Sequence, residues 1–194
     1  MPRRKRDPEQ AKRSIIEGAT AELCEKGAAT ATVEAVAKRA ECAKGLVLYH
    51  FKTKQGLFES AGAAIAVTRA THWAMAFEGG SPPDTIDKTW SLLTTESTNG
   101  TTLAWSSLLS PIGQISDHAV KQLAGDFARV LGEAGMGLFA SLGTEPRVNE
   151  EELGWLLASI VTGVEAALLS GADPGVVGGA YTAAWLGVLS LART

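Results

Sequence analysis

Residues 32–58 constrain this chain more than any other stretch, and they read TVEAVAKRAECAKGLVLYHFKTKQGLF. Two short helix patterns, VEAVAKRA and AKGLVLYH, meet at a break over Ala40-Glu41-Cys42. Val33, Val36 and Ala37 fall at i, i+3 and i+4, so they share one helical face. Lys52 and Lys54 follow the second pattern at once. A helical hairpin whose second helix is positive and aromatic-tipped is suited to the major groove of DNA.

The remainder of the chain also reads as helix. Hydrophobic residues make up 45% of the 194 positions but aromatics only 6%, so much of the apolar content is Ala, Leu and Val. Ala and Leu are strong helix formers, and no alternating strand runs occur. The expected fold is all-α with about nine helices: an N-terminal three-helix helix-turn-helix domain over 1–56 and a larger C-terminal helical domain over 57–194. A first helix is expected from about Pro8 to Lys26, ended by Gly27. Thr32 is the expected cap of the second, the third runs from about Ala43 to His50, and Thr53 caps a long fourth helix reaching about Phe77. Gly79-Gly80-Ser81-Pro82-Pro83 reads as a loop, with a fifth helix starting at Asp84 or Thr85. A sixth covers about 101–109, and a seventh carries the stripe from Val120 to Leu138. Asn149 with Glu152 opens an eighth, and Pro174 a ninth.

The net charge of −3 hides an asymmetry. Residues 1–56 hold 12 Lys/Arg against 7 Asp/Glu, whereas residues 57–194 hold 6 against 14. A basic first quarter, including the Arg3–Arg6 arm, joined to an acidic remainder is the footprint of a nucleic-acid reader attached to something that does not touch nucleic acid. The chain carries no G-x-S-x-G, H-E-x-x-H, P-loop or G-x-G-x-x-G, and His50, His72 and His118 are far apart. The expectation is therefore no enzyme, no cofactor and no metal. Cys24 and Cys42 read as small buried apolar residues in a reducing compartment. The absence of an apolar run of about 18 residues and of a signal peptide points to a cytoplasmic protein with no membrane partner.

Residues 10–58 resemble the N-terminal domain of the TetR family of bacterial transcriptional regulators. The family pattern has a glycine after the first helix, Thr-Val-x-x-Ile-Ala before the turn, and Lys-Gly-x-x-Tyr-x-x-Phe-x-x-Lys-x-x-Leu after it. Here those positions read Gly27, Thr32-Val33-Glu34-Ala35-Val36-Ala37, and Lys44-Gly45 through Tyr49, Phe51, Lys54 and Leu57. The turn departs from the usual Ala-Gly-Val-Ser, reading Ala40-Glu41-Cys42-Ala43. The helix 3 tyrosine usually stands where Leu48 is, and Tyr49 comes one place later. The resemblance implies a transcriptional regulator released from its operator by a small-molecule effector, with repression as the family default. The alternative is a helical protein-interaction module without specific DNA binding.

The expected DNA-contacting residues are Thr32, Lys44, Gly45, Leu46, Tyr49, His50, Lys52 and Lys54. Lys54 and Thr32 stand at helix N-termini, where phosphate is favoured. Lys44 is placed to meet a guanine edge or a phosphate, Gly45 lets the backbone come close, and Leu46 offers an apolar contact to a thymine methyl. Tyr49 is open between packing and phosphate binding, while Val47 and Phe51 read as core. Taken alone, Lys44 is an ordinary solvated lysine; the joint arrangement carries the reading.

One head reads few base pairs, so a homodimer on a palindromic double-stranded operator is expected, with half-sites about 34–36 Å apart. Helices 8 and 9 are the expected interface, where Ala166, Ala167, Gly178, Gly179 and Ala183 permit close approach. The effector is expected to be largely apolar or aromatic, contacting Trp90, Thr94, Trp105, Phe127 and Phe139, with Thr98, Ser106 and His118 as further polar candidates. Glu165, inside the apolar run IVTGVEAALL, has three open roles: orienting a ligand, holding a buried network, or facing solvent.

Overall fold

A computed structural model describes residues 7–193; the Arg3–Arg6 arm lies outside them. Among the described residues the structure has nine helices: α1 (Pro8–Thr30), α2 (Val33–Arg39), α3 (Lys44–Phe51), α4 (Lys54–Phe77), α5 (Pro82–Thr98), α6 (Thr101–Leu109), α7 (Asp117–Ser141), α8 (Glu150–Leu169) and α9 (Pro174–Leu189). The only pairing of extended backbone among them is an isolated bridge, Pro146 with Ala192. The all-α expectation holds.

Helix starts follow their caps. Asp7, Thr32, Ser81, Asn149 and Asp173 each accept a backbone N–H of the first turn through a side-chain oxygen. Asn149 and Glu152 form the expected capping box. The loop expected at Ser81-Pro82-Pro83 is corrected: Ser81 caps α5 with Asp84 in a second capping box, and the prolines occupy the first turn. A first-turn N–H has no intrahelical acceptor, so proline costs nothing there. Gly27 also does more than end a helix. It kinks α1 with φ 69° and ψ 167°, and helical structure resumes to Thr30. That backbone region suits glycine almost alone. Gly27→Ala is expected to lower stability by about 1–3 kcal/mol, measured as a shift in urea midpoint.

The described residues form two compact units. The first comprises residues up to Ile65 together with Leu103–Lys121; the second comprises Ala66–Thr102 and the chain from Gln122 onward. In the first, Ile15, Leu23, Val36, Val47, Leu57, Phe58 and Leu108 are buried to 1% exposure or less. Ser107 Oγ accepts the Ala28 N–H at 2.9 Å, Gln114 Nε2 donates to the Ala28 carbonyl at 3.2 Å, and Glu59 accepts the Ser116 N–H at 3.0 Å. These bonds tie Leu103–Lys121 to the end of α1 and the start of α4. In the second, α8 packs on α9 and α5 around buried Trp73, Leu93, Leu131, Leu153, Tyr181 and Trp185. One helix among the described residues, α8, has the length and apolarity to cross a bilayer. It opens with three glutamates and carries the buried Glu165.

Candidate nucleic-acid interface

The α2–α3 hairpin is built by its apolar positions. Val33, Val36 and Ala37 of α2 and Val47 and Phe51 of α3 are buried, which sets the opposite face of α3 outward. The turn between them places Glu41 at φ 49°. This is the left-handed conformation that glycine adopts freely and a residue with a Cβ fits less well.

The outward face holds the residues singled out from the sequence. Tyr49 is 69% exposed, and Leu48 is also outside. Lys44 is the first residue of α3, exposed and ion-paired with Glu34 of α2. Gly45 is exposed, with open space where a side chain would stand. Leu46 and His50 are half-buried, and the His50 ring stands edge-on to Tyr49 at 5.3 Å between centroids. Thr32 is exposed, its Oγ1 accepting the Ala35 N–H at 3.1 Å.

Lys52 ends α3 in a tight turn with φ 64° and ψ −48°, in which Thr53 N–H donates to the Phe51 carbonyl at 2.7 Å. Its ammonium donates to the Tyr49 carbonyl at 2.8 Å and lies 5.2 Å from the Tyr49 ring centre. Thr53 Oγ1 accepts the Gly56 N–H at 2.9 Å and so caps α4. Lys54, the first residue of α4, is half-buried with Nζ 5.0 Å from the Phe58 ring centre. Burial pulls its ammonium below the usual lysine value. All eight residues lie in the first unit, within or beside the hairpin.

The five residues assigned to an effector are dispersed. Trp105 is buried in the first unit, while Trp90, Thr94, Phe127 and Phe139 belong to the second. Phe127 stands edge-on to Trp73 at 5.8 Å, and Phe139 is 1% exposed. Trp90 is half-buried against Tyr181, and Thr94 donates within α5 to the Trp90 and Ser91 carbonyls. A groove of about 910 Å³ runs beside α4 and α7, lined by residues including Ala74, Phe77, Val130, Ala134 and Leu142; none of the five lines it. Cys24 and Cys42 are half-buried and not disulfide-bonded. Among the described residues no cluster of His, Cys, Asp and Glu is suited to a metal ion.

Glu165 resolves to a buried network. Arg69 of α4 donates through Nε to Glu96 of α5 at 2.9 Å and through Nη2 to Glu165 of α8 at 2.5 Å. All three are at most 3% exposed. The Arg69 guanidinium also lies 4.6 Å from the Phe127 ring centre, and Trp73 Nε1 donates to Glu96. Burial is the main force on Glu165: it raises the carboxyl to about 7 against the pull of Arg69, and the charge of Glu96 adds to the rise.

An all-helical chain with a helix-turn-helix hairpin and a basic outward face defines the class of helix-turn-helix DNA-binding proteins. Residues 15–61 match the family of bacterial regulatory proteins, tetR family. Within those residues the chain carries a domain of that family. Solved structures share its whole fold. A regulator from Rhodococcus sp. ascribed to the TetR family aligns with a TM-score of 0.74 at 16% identity, over 93% of this chain and 98% of that one. NemR of E. coli in its reduced form aligns with a TM-score of 0.70 at 14% identity, over 95% and 98%. The multidrug binding protein EbrR, complexed with imidazole, aligns with a TM-score of 0.62 at 20% identity, over 95% and 96%. No curated protein sequence matches the chain.

Proposed function

We propose that this protein is a cytoplasmic, homodimeric repressor that reads a palindromic operator through α3 and leaves it when a small apolar or aromatic effector binds the C-terminal helices. The outward face of α3 carries the DNA reading. Tyr49 and Lys44 project from a helix whose inner face is filled by Val47 and Phe51. The bare backbone at Gly45 admits a close approach to the duplex. Thr32 and Lys54 stand at the N-termini of α2 and α4, where phosphates are favoured.

The dimer reading draws on exposed apolar residues of α8 and α9: Trp155, Leu156, Leu169, Val176 and Leu186. Gly179 of α9 has open space around it and suits close approach to a second chain. Gly178 belongs instead to packing within the chain, since a Cβ there would lie 3.0 Å from Trp90 Cζ2. The groove beside α4 provides room for an effector. EbrR, with the same fold, is a multidrug binding protein.

The test is binding of the full chain to duplex DNA from upstream of its own gene, followed by fluorescence anisotropy across a salt series. Sequence-selective binding that weakens steeply with salt is expected. Lys44→Ala/Lys54→Ala is expected to cut affinity by on the order of a hundredfold and to flatten the salt dependence. Flat, sequence-indifferent binding by the wild type overturns the reading in favour of a protein-interaction module.

A further inference from the structure

The lysine best placed for DNA is already occupied. Glu34, in the first turn of α2, accepts a hydrogen bond from Lys44 Nζ across the hairpin. That bond is the main cause holding the Glu34 carboxyl below its ordinary value, and Lys54 adds to it through space. Glu34 also attracts Lys54 in return. One carboxylate thus acts on two of the three lysines that the DNA reading uses. The third, Lys52, is turned onto the Tyr49 carbonyl.

On the proposal that α3 enters DNA, we infer that Glu34 is a brake on operator affinity: it occupies Lys44 in the free protein and repels phosphate in the complex. Both parts follow from charge. A lysine that meets a phosphate must first leave its carboxylate, and the ion pair is exposed, so it exchanges readily. The displaced carboxylate stays on the first turn of α2, close to where Thr32 is placed to meet the backbone. Because phosphate contacts carry no sequence information, the brake acts on every duplex alike. It lowers non-specific occupancy together with specific affinity and so keeps the head mobile along DNA.

The experiment measures binding of the full-length wild type, Glu34→Gln and Glu25→Gln to two probes, the upstream duplex and a random-sequence duplex of equal length, across a salt series. Glu25 is a control for net charge: it pairs with Arg39 at the other end of α2. Glu34→Gln is expected to tighten both probes by on the order of tenfold at low salt, and to steepen the slope of log affinity against log salt by about 0.9 per lysine released. Glu25→Gln is expected to change neither. An unchanged Glu34→Gln, an equal gain in Glu25→Gln, or weaker binding by Glu34→Gln overturns the brake while leaving the DNA reading intact. Weaker binding would make Glu34 a contact to a base amino group. A wild type with no salt-dependent binding removes both.

Discussion

Arg69→Ala is expected to cost about 3–5 kcal/mol in unfolding free energy, read from urea denaturation, because it strands two buried carboxylates. The guanidinium is bonded to both Glu96 and Glu165, and all three groups are buried from water. A buried ion pair adds little over a well-packed apolar trio, but removing one partner leaves uncompensated charge. Replacing all three charges together, as Arg69→Met/Glu96→Gln/Glu165→Gln, is therefore expected to recover most of the loss. If the single variant unfolds with the wild-type midpoint, the network does not hold the second unit together.

The same network makes stability depend on pH in a direction opposite to ordinary acid denaturation. Glu165 titrates near 7 in the folded chain and near 4.5 when unfolded. Between those values the folded state holds a proton that the unfolded state has released. Stability from this group is therefore greatest at the acid end and falls as pH rises through the window, by at most about 1.4 kcal/mol per pH unit. It levels off above 7. The melting temperature is expected to drop between pH 4.5 and about 7, and Glu165→Gln, which cannot ionise, is expected to flatten that profile. Glu165 Oε2, buried with no hydrogen-bond partner among the described residues, is consistent with an oxygen poorly prepared for charge.

Gly154→Val is expected to destabilise the chain by about 3 kcal/mol or more, since it overpacks a contact made by backbone. At Gly154 of α8 a Cβ would lie 2.2 Å from the Ala128 carbonyl oxygen of α7, and at Gly132 of α7 a Cβ would lie 2.5 Å from the Glu150 carbonyl oxygen. The two helices touch through glycines on both sides, so no side chain is available to move aside. Gly125→Ala, in open space on α7, is the control. It is expected to raise stability by roughly 0.5–1 kcal/mol, the ordinary helical preference for alanine. Thermal unfolding followed by circular dichroism separates the two; equal behaviour would place the α7–α8 contact elsewhere.

The helices and their caps were legible because they depend on local chemistry. Thr32, Thr53 and Asn149 need only neighbours three residues away, and the stripes of α7 and α8 need only the 3.6-residue period. The hairpin was legible for the same reason, since Val36, Val47 and Phe51 must point inward whatever else the chain does. The two prolines after Ser81 suit a loop and a helix start equally, because a capped first turn and a tight turn share the same residues.

The network left a trace that periodicity alone does not interpret. Arg69 falls on the stripe of Ile65 and Trp73, and Glu165 on that of Val161 and Leu168. A charge on an apolar stripe signals a buried partner without naming it, because Arg69, Glu96 and Glu165 are up to 96 positions apart. The pairing of Lys44 with Glu34, the docking of Leu103–Lys121 onto the end of α1, and the position of the groove likewise depend on which helix faces lie together. Sequence by itself determined the elements, the inward and outward faces of the hairpin, and the basic character of the head. Only the tertiary structure decided which charges meet, since Coulomb attraction and burial depend on distance in space, and distance in space is not a function of separation along the chain.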